Sequence, residues 1–132
     1  MFTASAPEYA NKIINAIDPE EEFFSFRLYR ENCYQTDKGI YIKDLRILER
    51  PMERMVLVDN AAYSYGFQPL NGIPIVPFTG YKHDAELLFL CDYLDYLKGF
   101  PDYRKINKET FKYQFYQSPQ VTPKQLMDKL FK

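Results

Sequence analysis

The stretch that most constrains this chain is Arg54-Met-Val-Leu-Val-Asp59-Asn60. Four apolar residues, two of them β-branched, run straight into an acid and an amide. A short continuous apolar run of this kind predicts a strand over Met55–Val58 buried on both faces, as in a parallel sheet under helices. Ligands of such open sheets bind outside the carboxyl ends of the strands, which puts Asp59 and Asn60 where chemistry would be done. Asp59 serves equally well, on spacing alone, as the cap of a following helix.

The 132 residues are one domain's worth of chain, enough to bury roughly two-thirds of the unfolded surface. The net charge of −1 argues against bulk attraction to nucleic acid or to an anionic membrane, so no direct nucleic-acid partner is expected. Twelve Tyr and eleven Phe, with no Trp, favour a packed domain over disorder. Cys33 and Cys91 fit neither a metal spacing nor a disulfide framework and read as reduced thiols of an intracellular protein, in nucleus or cytoplasm. No run approaches the ~18 apolar residues of a membrane span.

From the first residue, Ser5-Ala-Pro-Glu8 reads as a capping box with proline in the first turn. Ala10, Ile13, Ile14 and Ile17 then recur at helical spacing until Asp18-Pro19 stops the run. The exposed N–H groups of this helix start, with the Thr3 and Ser5 hydroxyls, make either an ordinary cap or an anion cradle. Residues 20–22 are a solvated acidic run, and Phe24–Tyr29 alternates like a half-buried strand. Asp37-Lys38-Gly39 is a turn, and Ile40-Tyr-Ile42 continues as a short strand that delivers Lys43, a surface charge or a point-charge phosphate ligand. Residues 45–53 form a polar connector with the length for one helical turn. Asn71-Gly72 is a turn, and the proline-interrupted Ile73–Pro77 belongs at a sheet edge. Asp84–Lys98 is the clearest helix, with Asp84 as cap and Leu87, Leu90, Cys91, Leu94 and Leu97 as a core stripe that buries the Cys91 thiol. His83 is a loop residue, and no Ser/His/Asp or Cys/His set can be built around it. Beyond residue 104 the pattern changes, with Phe111–Phe115 alternating and a short helix carrying Leu126, Met127 and Leu130 at the end.

Six segments in order carry a resemblance: Phe2-Thr-Ala-Ser5 with Tyr9 and Ala10, Tyr29-Arg-Glu-Asn-Cys33, Tyr41-Ile-Lys-Asp-Leu45, Val58-Asp-Asn60 with Tyr65, Asn71-Gly-Ile-Pro-Ile75, and Asp84-Ala-Glu-Leu87. Together they resemble the phosphatase domain of the RNA polymerase II C-terminal-domain small phosphatases, also called NLI-interacting-factor-like, within the haloacid dehalogenase superfamily. A mitochondrial inner-membrane translocase relative shares much of the pattern but resembles this chain less at Asp59-Asn60. The resemblance implies an α/β, haloacid dehalogenase-like (Rossmann-like) three-layer parallel sheet, here N-terminally incomplete. Residues 1–103 would be the C-terminal two-thirds of the phosphatase domain and residues 104–132 an extra tail.

The implied activity is Mg²⁺-dependent hydrolysis of a phosphoserine or phosphothreonine protein substrate through an aspartyl-phosphate. Thr3, with the amide of Ala4, would hold the transferring phosphoryl group, and Lys43 would neutralise its oxygens. Asn60 would ligate Mg²⁺, Asp59 would support the metal site, and Tyr9 and Arg30 fall where the family contacts the substrate peptide. Positioning and positive charge are what phosphoryl transfer chiefly needs. An acid, an amide oxygen and waters suit a hard octahedral cation. Ala61-Ala62 replaces the family's usual Ser-Pro, a change of turn geometry.

The family's first motif, an Asp-x-Asp-x-Thr/Val segment supplying the nucleophile, has no counterpart. Asp18-Pro-Glu20 and Asp92-Tyr-Leu-Asp95 do not follow a buried strand. Two expectations stay open: a phosphatase present without its nucleophile segment, or a catalytically inactive binding or scaffold module. Without the neighbouring strands the Met55–Val58 strand would also leave an open sheet edge, prone to self-association.

Overall fold

The computed structural model describes residues 1–112. The expected alternation beyond Lys112 and the closing helix around Leu126 lie outside the described residues.

Helix α1 spans Pro7–Ile17, with Pro7 at its first helical position and Ala6 as the cap residue. The expected Ser5–Glu8 capping box does not form. Proline at the first position places the cap one residue later than Ser5, whose N–H instead donates to Thr3 Oγ1 at 3.1 Å. Ala10 and Ile14 are buried, whereas Ile13 and Ile17 remain largely exposed. The helix stops where the sequence places its end. Asp18 donates its N–H to Ile14 O at 2.8 Å, and its carboxylate accepts the N–H groups of Glu22, Phe23 and Phe24 at 2.8–3.1 Å. Burial opposes the Asp18 charge, but those N–H donors and Arg27 prevail and hold its carboxyl below the ordinary carboxylate range.

Phe24–Tyr29 is not a strand, contrary to its alternation. Leu28 makes a single parallel bridge to Phe2, and Phe23 and Phe26 stay exposed. Alternation marks which side chains share a face, and a strand also needs a backbone partner along its length. Among the described residues only Met1–Thr3 lies alongside, through Leu28 N–H to Met1 O and Thr3 N–H to Leu28 O.

Strands β1 (Tyr34–Gln35) and β2 (Tyr41–Ile42) form an antiparallel pair. Gly39, at φ +75°, makes the left-handed turn between them without a Cβ penalty. Two 3-10 turns, Leu45–Leu48 and Met52–Arg54, fill the connector. Strand β3 is Leu57–Asp59 rather than Met55–Val58, because the Met55 N–H closes the preceding 3-10 turn on Met52 O. It pairs in parallel with β4, Gly72–Pro74, in the register Leu57↔Gly72, Val58↔Ile73 and Asp59↔Pro74. The α/β class therefore holds. Of a larger parallel sheet, the described residues form this one two-stranded pair.

The core beneath β3 comprises Leu45, Met55, Leu57 and Tyr65, with Leu48 and Met52 packed against it. Gly72 is required there, since a Cβ would lie 2.3 Å from the Tyr65 ring. Two buried amides act as joints. Asn71 Nδ2 donates to Met52 O and Met55 O, both at 2.7 Å. Asn107, on helix α3 (Tyr103–Thr110), donates to Leu70 O at 3.0 Å and accepts from Tyr93 Oη at 2.8 Å. Helix α3 thus runs across residue 104 and is docked on the body, with the Arg54 guanidinium 4.3 Å from the Tyr103 ring centroid.

Helix α2 spans Glu86–Leu97 with Ala85 in the cap position, while Asp84, one residue earlier, accepts the Glu86 N–H at 3.1 Å and so still caps the helix start. Its expected core stripe is mostly not core. Leu97 is buried, Leu90 and Leu94 are half-buried, and Leu87 and Cys91 are exposed, so the Cys91 thiol is not a buried one. Periodicity orients a face but does not provide the surface that covers it. Both thiols are free, and His83 lies exposed in a loop, as the sequence implies.

Replacing Asn107 by Ala removes the buried amide that joins Leu70 O to the Tyr93 hydroxyl, and should destabilise the chain by about 2 kcal/mol. Urea unfolding of Asn107→Ala within about 0.5 kcal/mol of the parent would show that α3 is not anchored through this amide.

Candidate functional site

The carboxyl end of β3 opens into a cleft of about 460 Å³ lined by Thr3, Ala4, Lys43, Asp59, Asn60 and Ala61, among others. Three separate segments meet there. Strand β2 ends at Ile42 and hands Lys43 to the cleft, β3 ends in Asp59, and the chain before α1 supplies Thr3 and Ala4.

Lys43 Nζ donates to Asp59 Oδ2 at 2.5 Å, and the two side chains are only 10% and 9% exposed. Removing one member of a buried pair like this leaves an uncompensated charge, typically a cost of about 3–5 kcal/mol. The other carboxylate oxygen, Asp59 Oδ1, accepts the Ala61 N–H at 2.8 Å. Asp59 is not the cap residue of the following segment, a position held by Ala61, but it accepts that residue's N–H. One oxygen shapes the turn into the 3-10 segment Ala62–Tyr65, and the other faces the lysine. The Lys43 backbone is tied to that same segment, its N–H donating to Ser64 O at 2.8 Å.

Thr3 is fixed by its N–H, which donates to Leu28 O at 2.9 Å. Its hydroxyl oxygen already receives the Ser5 N–H, so part of the expected anion cradle is occupied internally. Arg30 does not line this cleft. Its Nε donates to Ala4 O at 2.8 Å and its guanidinium lies 5.3 Å from the Tyr41 ring centroid. It lines an adjoining depression of about 420 Å³ together with Pro7, Glu8, Cys33 and Tyr41. Tyr41 borders both depressions, and sequence reasoning gave it no role. Its signal was strand alternation, which places positions two apart on one face, here Tyr41 and Lys43. Tyr9, at 63% exposure on α1, lines neither depression.

The residues present do not by themselves fit Mg²⁺. That ion takes an octahedron of oxygens, usually with one or two carboxylates. Asn60 stands exposed at the rim, and both oxygens of Asp59 are engaged. Among the described residues no group of three or more His, Cys, Asp or Glu is gathered. Cysteine chemistry has no better footing. Burial pushes the Cys33 thiol up, away from the nucleophilic thiolate, despite the charges of Lys43 and Arg30. Asp92 and Asp95 are exposed on α2, and Asp95 pairs with Lys98.

Asp44, next to Lys43, carries the clearest titration. Hydrogen bonds from the Arg46 side chain, opposed by burial, hold its carboxyl down at about 2 against an ordinary value of 3.8. A carboxylate depressed on folding stabilises the native state above its unfolded pKa, and that stabilisation is lost as pH falls through the folded value. Stability should therefore decline between pH about 4 and about 2, and Asp44→Asn should flatten that limb. Acid titrations of both proteins followed by circular dichroism check this; parallel curves would show that Asp44 is not coupled to folding.

Comparison with known proteins gives the family of the chain. The sequence profile of the NLI interacting factor-like phosphatases matches residues 1–104. CTD small phosphatase-like protein 2 of Dictyostelium discoideum is 43% identical over 112 residues, 85% of this chain and 19% of that protein. CTD small phosphatase-like protein 3 of Caenorhabditis elegans is 42% identical over 95 residues, 72% of this chain and 33% of that protein. The mitochondrial import inner membrane translocase subunit TIM50 of Candida glabrata is 38% identical over 97 residues, 74% of this chain and 20% of that protein. The chain spans between a fifth and a third of the length of these relatives. With a buried Lys43–Asp59 pair at the end of its parallel strand and this profile over most of its length, the chain belongs to the NLI interacting factor-like phosphatase family.

Proposed function

We propose that these residues form the charge-neutralising part of a protein serine/threonine phosphatase site on a haloacid dehalogenase-like fold, one that works through an aspartyl-phosphate supplied by carboxylates other than theirs. The observation that carries the reading is the buried Lys43 ammonium held at the carboxyl end of β3, beside Thr3, Ala4 and Asn60 in one cleft. A fixed ammonium in a low-dielectric cleft stabilises charge on transferring phosphoryl oxygens far better than a solvated one. Mg²⁺ belongs to the proposal on the same footing: Asn60 and Asp59, both lining the cleft, would contribute oxygens to it, and further carboxylates would have to complete its shell. Arg30 and Tyr9 are proposed peptide contacts outside the cleft. The proposed compartment is nucleus or cytoplasm, which imaging of the tagged chain tests.

A second reading is favoured by one observation. Asp59 is the one carboxylate among the residues lining the cleft, and it is committed to Lys43 and Ala61. Such a cleft could hold a phosphorylated peptide without cleaving it, as an inactive binding module.

The 132-residue chain alone should not turn over an aryl phosphate with Mg²⁺, since a missing covalent nucleophile removes most of the rate enhancement. EDTA-sensitive turnover by the pure chain would mean that it carries its own nucleophile. Supplying a peptide with the family's Asp-x-Asp-x-Thr strand in trans should restore hydrolysis, and Lys43→Ala should then cut kcat by about 100-fold or more. Phosphopeptide binding without hydrolysis in that mixture would favour the binding module. A change in KM alone would make Lys43 a binding residue rather than one tuned to the transition state.

The open side of β3 supports the self-association expected from the sequence. An apolar groove of about 520 Å³ runs there, lined by Phe2, Phe24, Leu28, Leu45, Met55 and Leu57. Sedimentation should show oligomers at micromolar concentration. A monomer melting cooperatively above roughly 60 °C would show that the chain closes its own core.

A further inference from the structure

Gln68 lies outside the cleft yet grips the residues that follow Lys43. Its Nε2 donates to Asp44 Oδ1 at 2.9 Å, and its Oε1 accepts the Leu45 N–H at 3.1 Å. Only this orientation of the amide satisfies both partners, a carboxylate and a backbone N–H. Gln68 is itself anchored, its N–H donating to the buried Tyr65 carbonyl at 3.0 Å and its carbonyl accepting the Asn71 N–H at 2.9 Å. Arg46 braces the clamp from outside, bidentate on Asp44 through Nε and Nη2 and 5.5 Å from the Phe67 ring centroid. Lys43 N–H to Ser64 O completes a set of bonds that binds the Lys43–Leu45 turn to the segment descending from Asp59.

We propose that Gln68 is a positioning residue for the Lys43 ammonium: its amide locks the Asp44–Leu45 peptide to the Ala61–Gln68 segment, so that Nζ is set against Asp59 and the cleft. The proposal rests on the reading of Lys43 as the phosphate-neutralising charge. Its physical basis is that a long, rotamer-rich side chain delivers a fixed charge only when its backbone is held from behind. Lysine has four rotatable carbons, and nothing in the cleft other than Asp59 directs its ammonium by a hydrogen bond among the described residues.

The test uses the full chain with ¹⁵N-labelled lysine side chains. The Lys43 ammonium, buried and ion-paired, should give a slowly exchanging resonance in the parent protein. Gln68→Leu should broaden or lose it, whereas Asn71→Ala, which removes a buried amide at the opposite end of β3, should destabilise the fold and keep the resonance. Gln68→Glu, retaining the acceptor for Leu45 and opposing a second carboxylate to Asp44, should behave like Gln68→Leu and serves if that variant fails to fold. Titration with inorganic phosphate should show binding that needs Lys43 and weakens about tenfold in the Gln68 variants, the scale of one hydrogen bond to a charged group. An unchanged Lys43 resonance in a folded Gln68 variant, or equal loss in Asn71→Ala, overturns the positioning role. Phosphate binding indifferent to Lys43→Ala overturns the reading of the cleft instead, and the resonance still decides the clamp.

Discussion

The ion pair between Lys43 and Asp59 is the interaction on which the arrangement of the cleft depends. Its members are sixteen residues apart in sequence and come from the ends of two strands in two different sheets. Taking both charges out of water is costly, and their attraction offsets that cost only when geometry is close and the remaining valences are satisfied. Here Asp59 has its second oxygen on the Ala61 N–H, and the Lys43 backbone is bonded to Ser64. The pair therefore acts as a constraint on relative position more than as a source of stability. It forces the ends of β2 and β3 to a common point and leaves one compact positive group facing the cleft.

What makes that constraint tolerable is a frame of short elements whose exposed backbone groups are met by side-chain amides. Between β2 and α2 the chain turns repeatedly through 3-10 segments, at Leu45–Leu48, Met52–Arg54, Ala62–Tyr65 and Pro69–Asn71, and such turns leave carbonyls without partners in the chain's own ladder. Asn71 takes up two of them between the connector and β3, and Asn107 takes up another at the start of β4. Packing and polar satisfaction meet at Gly72, where the absence of a side chain lets Tyr65 lie against the strand. A core of this kind is small, and its specificity comes from satisfied polar joints as much as from apolar area.

The uneven distribution of burial follows from the same frame. Around β3 and the connector the side chains are closed in, while α2 and the Phe23–Phe26 stretch leave large apolar groups in solvent. Extended apolar surface of that size marks interfaces in folded proteins. It sits on a family member that spans only part of its relatives' length, and within the described residues the cleft's charge is better built than its hydrophobic surroundings.

Local chemistry made much of this legible in the sequence. Proline and aspartate punctuation bounded α1, glycine marked the turn before β2, and an apolar run ending in Asp-Asn marked a strand end that opens on the cleft. The bounds and the strand end rest on the conformational limits of single residues and on short-range periodicity, which the chain carries wherever it folds. The segments that resemble the phosphatase family converge on that cleft for Thr3, Ala4, Lys43, Asp59 and Asn60, with Arg30 and Tyr9 set beside and outside it. Only the tertiary structure decided the rest: that Asp59 is shared between a lysine and a backbone N–H, that Asp18 folds a turn around itself, that Gln68 grips Asp44, and that the α2 stripe stays mostly uncovered. Each of these depends on groups brought together across the fold. A periodic pattern states which face is apolar, but what lies against it, and which of two partners a carboxylate meets, is set by long-range packing that no local spacing encodes.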